Sequence, residues 1–134
     1  MKRFTYLFLA LMIASLVLSA CGGAASGPLT VQSITFSNTS GGTGATTFSP
    51  SDRTIYAAVQ LSRIETGLTA KVTWTAVDTS AGQNIEIATK EFTSVVANVI
   101  SAQVELPQDW PTGKYKLDVF LNGTLAKTAE FTIQ

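Results

Sequence analysis

The side chains that usually carry enzyme chemistry are scarce in this sequence of 134 residues. Histidine is absent, which excludes an imidazole base, a histidine-bound metal and a Ser-His or Cys-His nucleophile. The one cysteine, Cys21, can form neither an internal disulfide nor a Cys-rich zinc site. The nine carboxylates occur singly, whereas glycosidase pairs and calcium loops need carboxylates close together. We therefore predict no catalytic residue, no metal site and no cofactor.

The first 20 residues have the pattern of a secretory signal. Two basic residues follow Met1, an apolar run extends over residues 4–18, and small residues come next. The run ends in Leu18-Ser19-Ala20-Cys21, which resembles the lipobox of bacterial lipoproteins, with leucine three residues and alanine one residue before the cysteine. In that family the cysteine thiol is diacylglycerated, the signal is cut before it, and the new amine is usually acylated.

The resemblance implies a cleaved signal peptide (residues 1–20), a lipid on Cys21, and a membrane-anchored protein of the cell envelope. The domain would face away from the cytoplasm, in the periplasm or at the cell surface. An uncleaved anchor is one alternative, but residues 4–20 are fewer than the roughly 20 that span a bilayer. A buried structural thiol is the other, but Cys21 lies between the signal and a Gly-rich tether (residues 21–28) that offers no core.

Residues 29–134 show the period-two alternation of half-buried strands. The alternation is clear in four segments and weaker in three: 55–61, 68–76, 100–106 and 115–121, then 29–37, 85–92 and 125–133. Asn122-Gly123 separates the last two strands and predicts a two-residue hairpin. Seven short strands at this spacing predict an all-β domain, an antiparallel Ig-like β-sandwich of seven to eight strands.

Two aromatic residues support this prediction. Trp74 lies on the apolar side of the third predicted strand, where immunoglobulin-type sandwiches keep a core tryptophan. Tyr115 occupies the position of a tyrosine corner, whose hydroxyl bonds backbone upstream. The stretch from Leu106 to Val119 is also similar to the late strands of bacterial Ig-like and macroglobulin-like domains. These resemblances imply a fold and no particular activity.

Three side chains are candidates for binding. Trp110 lies in a loop, where it would either anchor a partner or a sugar or cap the end of the sandwich. Tyr56 falls on the outward side of its strand. Thr73 belongs to an outward row of threonines, which would be a solvated face or a surface for sugars or a neighbouring sheet. The polar loop of residues 38–47 would be either a binding loop or a disordered connector.

These observations predict a lipid-anchored envelope protein that is not an enzyme. Its expected role is that of a protein-interaction module, acting through a loop end or by pairing at a sheet edge. A cell-surface polysaccharide-binding module and a structural or accessory spacer subunit are the alternatives. The expected partners are the membrane, through the lipid on Cys21, and an envelope protein or a polysaccharide. The nine basic and nine acidic side chains balance, so no nucleic-acid partner is expected.

Overall fold

The computed structural model describes residues 27–134, which form two β-sheets packed face to face. The predicted signal peptide, Cys21 and the tether as far as residue 26 lie outside the described residues. The strands are β1 (Val31–Ser37), β2 (Thr47–Phe48), β3 (Thr54–Leu61), β4 (Ala70–Thr79), β5 (Gly82–Phe92), β6 (Val99–Glu105), β7 (Gly113–Leu121) and β8 (Thr124–Ile133). Within residues 27–134, no helix has the length and apolar character needed to cross a membrane.

The two sheets differ in width. The small sheet has the order β1-β3-β6, and the large sheet has the order β2-β8-β7-β4-β5. All seven predicted strands are present and pair antiparallel with their neighbours, which confirms the predicted all-β sandwich. The short strand β2 was not predicted, and it runs parallel to the end of β8.

The core lies between the sheets because alternate residues of each central strand are apolar and point inward. Trp74 is only 1% exposed and packs against Phe36 and Phe131, as the sequence predicts for a core tryptophan. The Phe131 ring also stacks on Tyr115, with the ring centroids 5.2 Å apart. Phe131 therefore joins aromatic side chains of both sheets into one cluster.

The hairpin between β7 and β8 has the predicted two-residue turn. Asn122 and Gly123 both have positive φ, 48° and 82°, as a type I′ turn requires. The Asn122 side-chain oxygen accepts a hydrogen bond from the backbone N–H of Thr69 at 3.2 Å. The turn is thereby fixed to the start of β4.

The polar loop between β1 and β3 is held to both sheets by backbone hydrogen bonds. Ala45 N–H donates to the Phe36 carbonyl at 2.8 Å, and Thr132 N–H donates to the Thr46 carbonyl at 2.8 Å. Gln134 N–H donates to the Phe48 carbonyl at 3.0 Å. The interpretation of this loop as a disordered connector is therefore wrong, since its second half is incorporated into the sandwich.

Candidate functional site

Trp110 is buried at one end of the sandwich. Its side chain is 2% exposed, its indole N–H donates to the Arg53 carbonyl at 3.1 Å, and its ring meets Tyr115 edge-on with centroids 5.2 Å apart. An anchor for a partner or a sugar must present a free ring face. The proposed binding role of Trp110 is therefore wrong, and the residue caps the core.

The loop that carries Trp110 is tied to the segment before β3. The Arg53 guanidinium donates to the Pro107 carbonyl at 2.6 Å and forms an ion pair with Asp109 at 3.1 Å. At the other end of the loop, the Tyr115 hydroxyl donates to the Pro111 carbonyl, as expected for a tyrosine corner. Burial raises the pKa of the Tyr115 hydroxyl, so this group remains a hydrogen-bond donor over the physiological pH range.

Thr73 lies on the outer face of the large sheet, where β4 runs between β7 and β5. Its hydroxyl is 3.0 Å from the hydroxyl of Thr89 on β5. On the other side Thr73 pairs in register with Asp118, whose carboxylate is 2.9 Å from the Lys116 ammonium. The threonine row is therefore part of a charged, internally hydrogen-bonded face, which leaves few free hydroxyls for a sugar.

Tyr56 lies on the outer face of the small sheet, half-buried between Ser37 and Gln103 in register. This face holds mainly small and uncharged residues, with one carboxylate at its end: Ser33, Thr35, Ser37, Thr54, Tyr56, Ala58, Gln60, Val99, Ser101, Gln103 and Glu105. Trp110, Tyr56 and Thr73 thus lie in three separate places. The structure does not bring the three predicted binding residues into one site.

The sheet edges differ in how far they are protected against pairing with another strand. On β1 the register shifts between Val31 and Ser33, and the carbonyl of Gln32 accepts a hydrogen bond from Lys127 of β8 at 2.8 Å. Strand β2 has two residues only and pairs with just the end of β8. The rest of that edge belongs to β8, which carries Lys127 and has a register shift against β7. On β5 the register shifts opposite Trp74 and Thr75. Short strands, bulges and covering contacts are the devices that natural sheets use to block edge pairing.

The edge of β6 has none of these protections. Its seven residues contain no lysine, arginine or proline, and they pair with β3 without a register shift. Leu61 N–H donates to the Asn98 carbonyl at 2.7 Å, so Asn98 and every second residue after it direct their backbone N–H and C=O groups toward β3. The intervening residues direct their N–H and C=O groups away from the sheet: Val99, Ser101, Gln103 and Glu105.

Beside this edge, the inner face of β5 is only partly buried. Ile85, Ala88, Lys90 and Phe92 pair with the buried residues of β4, so their side chains point toward the small sheet. Ile85 is nevertheless 44% exposed, and Phe92 is only half-buried. A groove of about 410 Å³ lies between the end of β5 and the start of β6. Its lining includes five large apolar residues: Phe92, Val95, Val96, Val99 and Ile100.

We call this region the open side and define it as the free edge of β6, the inner face of β5 and residues 93–98 between them. It combines unpaired backbone groups with exposed apolar side chains, among them Val96 at 83% exposure. Such a combination can bind an extended chain. Within residues 27–134, no cluster of three Cys, Asp or Glu side chains could hold a metal ion.

No protein family matches the sequence, and no curated protein matches it. Solved structures do match the fold. An immunoglobulin-like protein from Pseudomonas aeruginosa is matched over 82% of this chain and 99% of its own, with a TM-score of 0.52 and 15% sequence identity. The fold is immunoglobulin-like.

A second solved structure shares the architecture. It is an alkylpurine DNA glycosylase from Pseudomonas fluorescens, bound to DNA containing an abasic-site analogue, with a TM-score of 0.51 and 13% identity. The match covers 79% of this chain, which spans 30% of the length of the glycosylase chain. At such low identity both likenesses concern the immunoglobulin-like fold alone, because one fold hosts many functions.

Proposed function

We propose that this chain is a lipid-anchored protein of the bacterial cell envelope that binds another protein through its open side. The anchor is supported by the signal pattern and the lipobox-like sequence ending in Cys21. The binding function is supported by one structural observation above all, the unprotected edge of β6 beside the partly buried inner face of β5. An immunoglobulin-like fold fits such an interaction module, and we propose no enzymatic activity.

We place the binding surface on the open side because the other sheet edges are protected against pairing with another strand. A long, regular, free edge strand is a template for pairing with another chain, and natural proteins block such edges. Strands β1, β2, β5 and the unpaired part of β8 are shortened, bulged or covered or carry a lysine, whereas β6 is regular over all seven residues. An edge left open among blocked ones is expected where pairing with a partner is the function.

The polysaccharide-binding alternative has less support. Its three candidate residues lie apart, and Trp110 has no exposed ring face. Protein surfaces that bind sugars usually present an aromatic side chain together with several free polar groups. The spacer alternative leaves the open edge of β6 without a role.

Affinity capture tests the proposed interaction. The full acylated chain, tagged at its C-terminus, is incubated in detergent with solubilised envelope proteins and, separately, with purified cell-wall polysaccharide. We expect an envelope protein to be retained and Val96→Glu to reduce its retention, because a charge is placed in the apolar groove. Val96 is 83% exposed, so this substitution should leave the fold intact.

Leu125→Glu is the matched control, since Leu125 is 53% exposed and lies on β8, away from the open side. It should retain as much partner as the unchanged protein. Retention by polysaccharide alone, or equal loss in the two variants, would contradict the proposal.

A further inference from the structure

The open side has room for one strand. Strand β1 lies beside β8, as shown by the hydrogen bond from Lys127 to Gln32, so the three strands of the small sheet lie over β8, β7 and β4. Strand β5 comes next in the large sheet, and by this count no strand of the small sheet lies opposite its inner face, which is exposed at Ile85 and Lys90 and partly buried elsewhere. The vacant position is adjacent to the free edge of β6.

We infer that the open side accepts a single extended segment of a partner protein as the fourth strand of the small sheet, an inference that rests on the function proposed above. The segment pairs with β6 through the outward N–H and C=O groups of Val99, Ser101, Gln103 and Glu105. Adjacent strands are about 4.8 Å apart, so a strand added there lies directly over β5.

The inner face of β5 determines which side chains the added segment must carry. Alternate residues of the added strand point toward β5 and meet four apolar side chains, of which Ile85 is exposed and the others are partly buried: Ile85, Ile87, Ala88 and Phe92. The segment therefore carries apolar residues at every second position. Burying them would remove from water the apolar surface that the small sheet leaves exposed.

Lys90 adds a charge preference. It pairs with Val72, so its side chain is on the inner face, and its ammonium lies over the Phe92 ring, 5.3 Å from the ring centroid. It is exposed and forms no ion pair with the described carboxylates. An added strand lowers the exposure of this charge, which favours a carboxylate on the segment.

A second copy of this chain cannot occupy the position through its own β6. Antiparallel pairing of two β6 strands joins the small sheets and places both large sheets on the same side. Because β5 extends one strand beyond β6, the β5 strand of each copy would overlap β4 of the other. The occupant is therefore a lone strand, such as a tail or linker of another protein, and not the edge of an intact sandwich.

Peptide binding to the full acylated chain in detergent tests this inference. The probes are fluorescent nine-residue peptides that alternate Val and Thr, with each Val replaced in turn by Glu or by Lys. We expect binding of the alternating peptides and tighter binding with Glu than with Lys at one position. Lys90→Glu should reverse that preference, because the charge that faces the segment changes sign.

Backbone pairing is tested by one change in the protein and by another in the peptide. Ser101→Pro removes an outward N–H and should weaken binding by about tenfold, whereas Ser101→Ala should not. In the peptide, N-methylation of the alternate amides that face β6 should abolish binding, and methylation of the other alternate set should leave it unchanged. This second measurement needs no change in the protein.

Equal effects of the two methylation sets, or a Glu preference that persists in Lys90→Glu, would overturn strand addition. If no peptide binds while Val96-dependent capture of an envelope protein holds, strand addition is wrong and the proposed interaction function remains. If capture fails as well, the proposed function itself is wrong.

Discussion

Replacement of Trp110 by alanine should lower the free energy of unfolding by about 3–5 kcal/mol, the usual cost of deleting a large buried aromatic side chain. The ring is 2% exposed and packs edge-on against Tyr115 and Phe131. Its loss opens a cavity at the end of the core and leaves the Arg53 carbonyl without its indole donor. Urea denaturation followed by circular dichroism measures the change.

Trp110→Phe is the matched control for this prediction. It keeps an aromatic ring against Tyr115 and removes the hydrogen bond to Arg53, so its effect should be clearly smaller. Retention of the envelope partner should be unchanged in Trp110→Ala at temperatures where the variant is folded. A destabilisation of only about 0.5 kcal/mol, the size of an ordinary surface substitution, would show that Trp110 does not cap the core.

Replacement of Cys21 by serine should abolish incorporation of labelled fatty acid and leave the unprocessed precursor. A serine hydroxyl is a much weaker nucleophile than a cysteine thiol and does not substitute for it in lipobox proteins. The measurement is metabolic labelling with a fatty acid, followed by the intact mass of the purified protein. Label that is still incorporated by the variant would contradict the proposed anchor.

A double variant, Cys21→Ser with Ser26→Cys, controls for the presence of a thiol. It restores one cysteine five residues beyond the position that the lipobox-like sequence specifies. We expect it to remain unlabelled, since the signal sequence and the cysteine must be adjacent. Labelling of this double variant would show that any nearby thiol is acylated and that the resemblance is not specific.

The elements that follow local rules could be predicted from the sequence. Seven strands show the alternation of one apolar face. The turn at Asn122-Gly123 could be predicted because these residue types accept the positive φ angles that it requires. Trp74 and Tyr115 are buried where the sequence predicts them. The alternation of β5 is weaker for an identifiable reason. Ile87 is an extra residue at the bulge, so the inward side chains change from odd to even positions along the strand.

The features that depend on distant residues could not be predicted. Strands β3 and β6 have the same alternating pattern, yet β3 is central and β6 is an edge. The difference arises from which strands pair, and that is set by the whole sandwich. The burial of Trp110 could not be predicted for the same reason. A tryptophan in a loop belongs to no periodic pattern, and its burial depends on Arg53, 57 residues earlier in the chain.

Site-specific photo-crosslinking in intact cells tests most directly whether the open side is the binding surface. A photoreactive amino acid is placed in the full chain at Val96 or Ser101 on the open side, and at Leu125 as the matched exposed control. We predict one adduct of constant mass from the first two positions and none from Leu125. Adducts from Leu125 alone, or no adduct from either open-side position, would contradict the account.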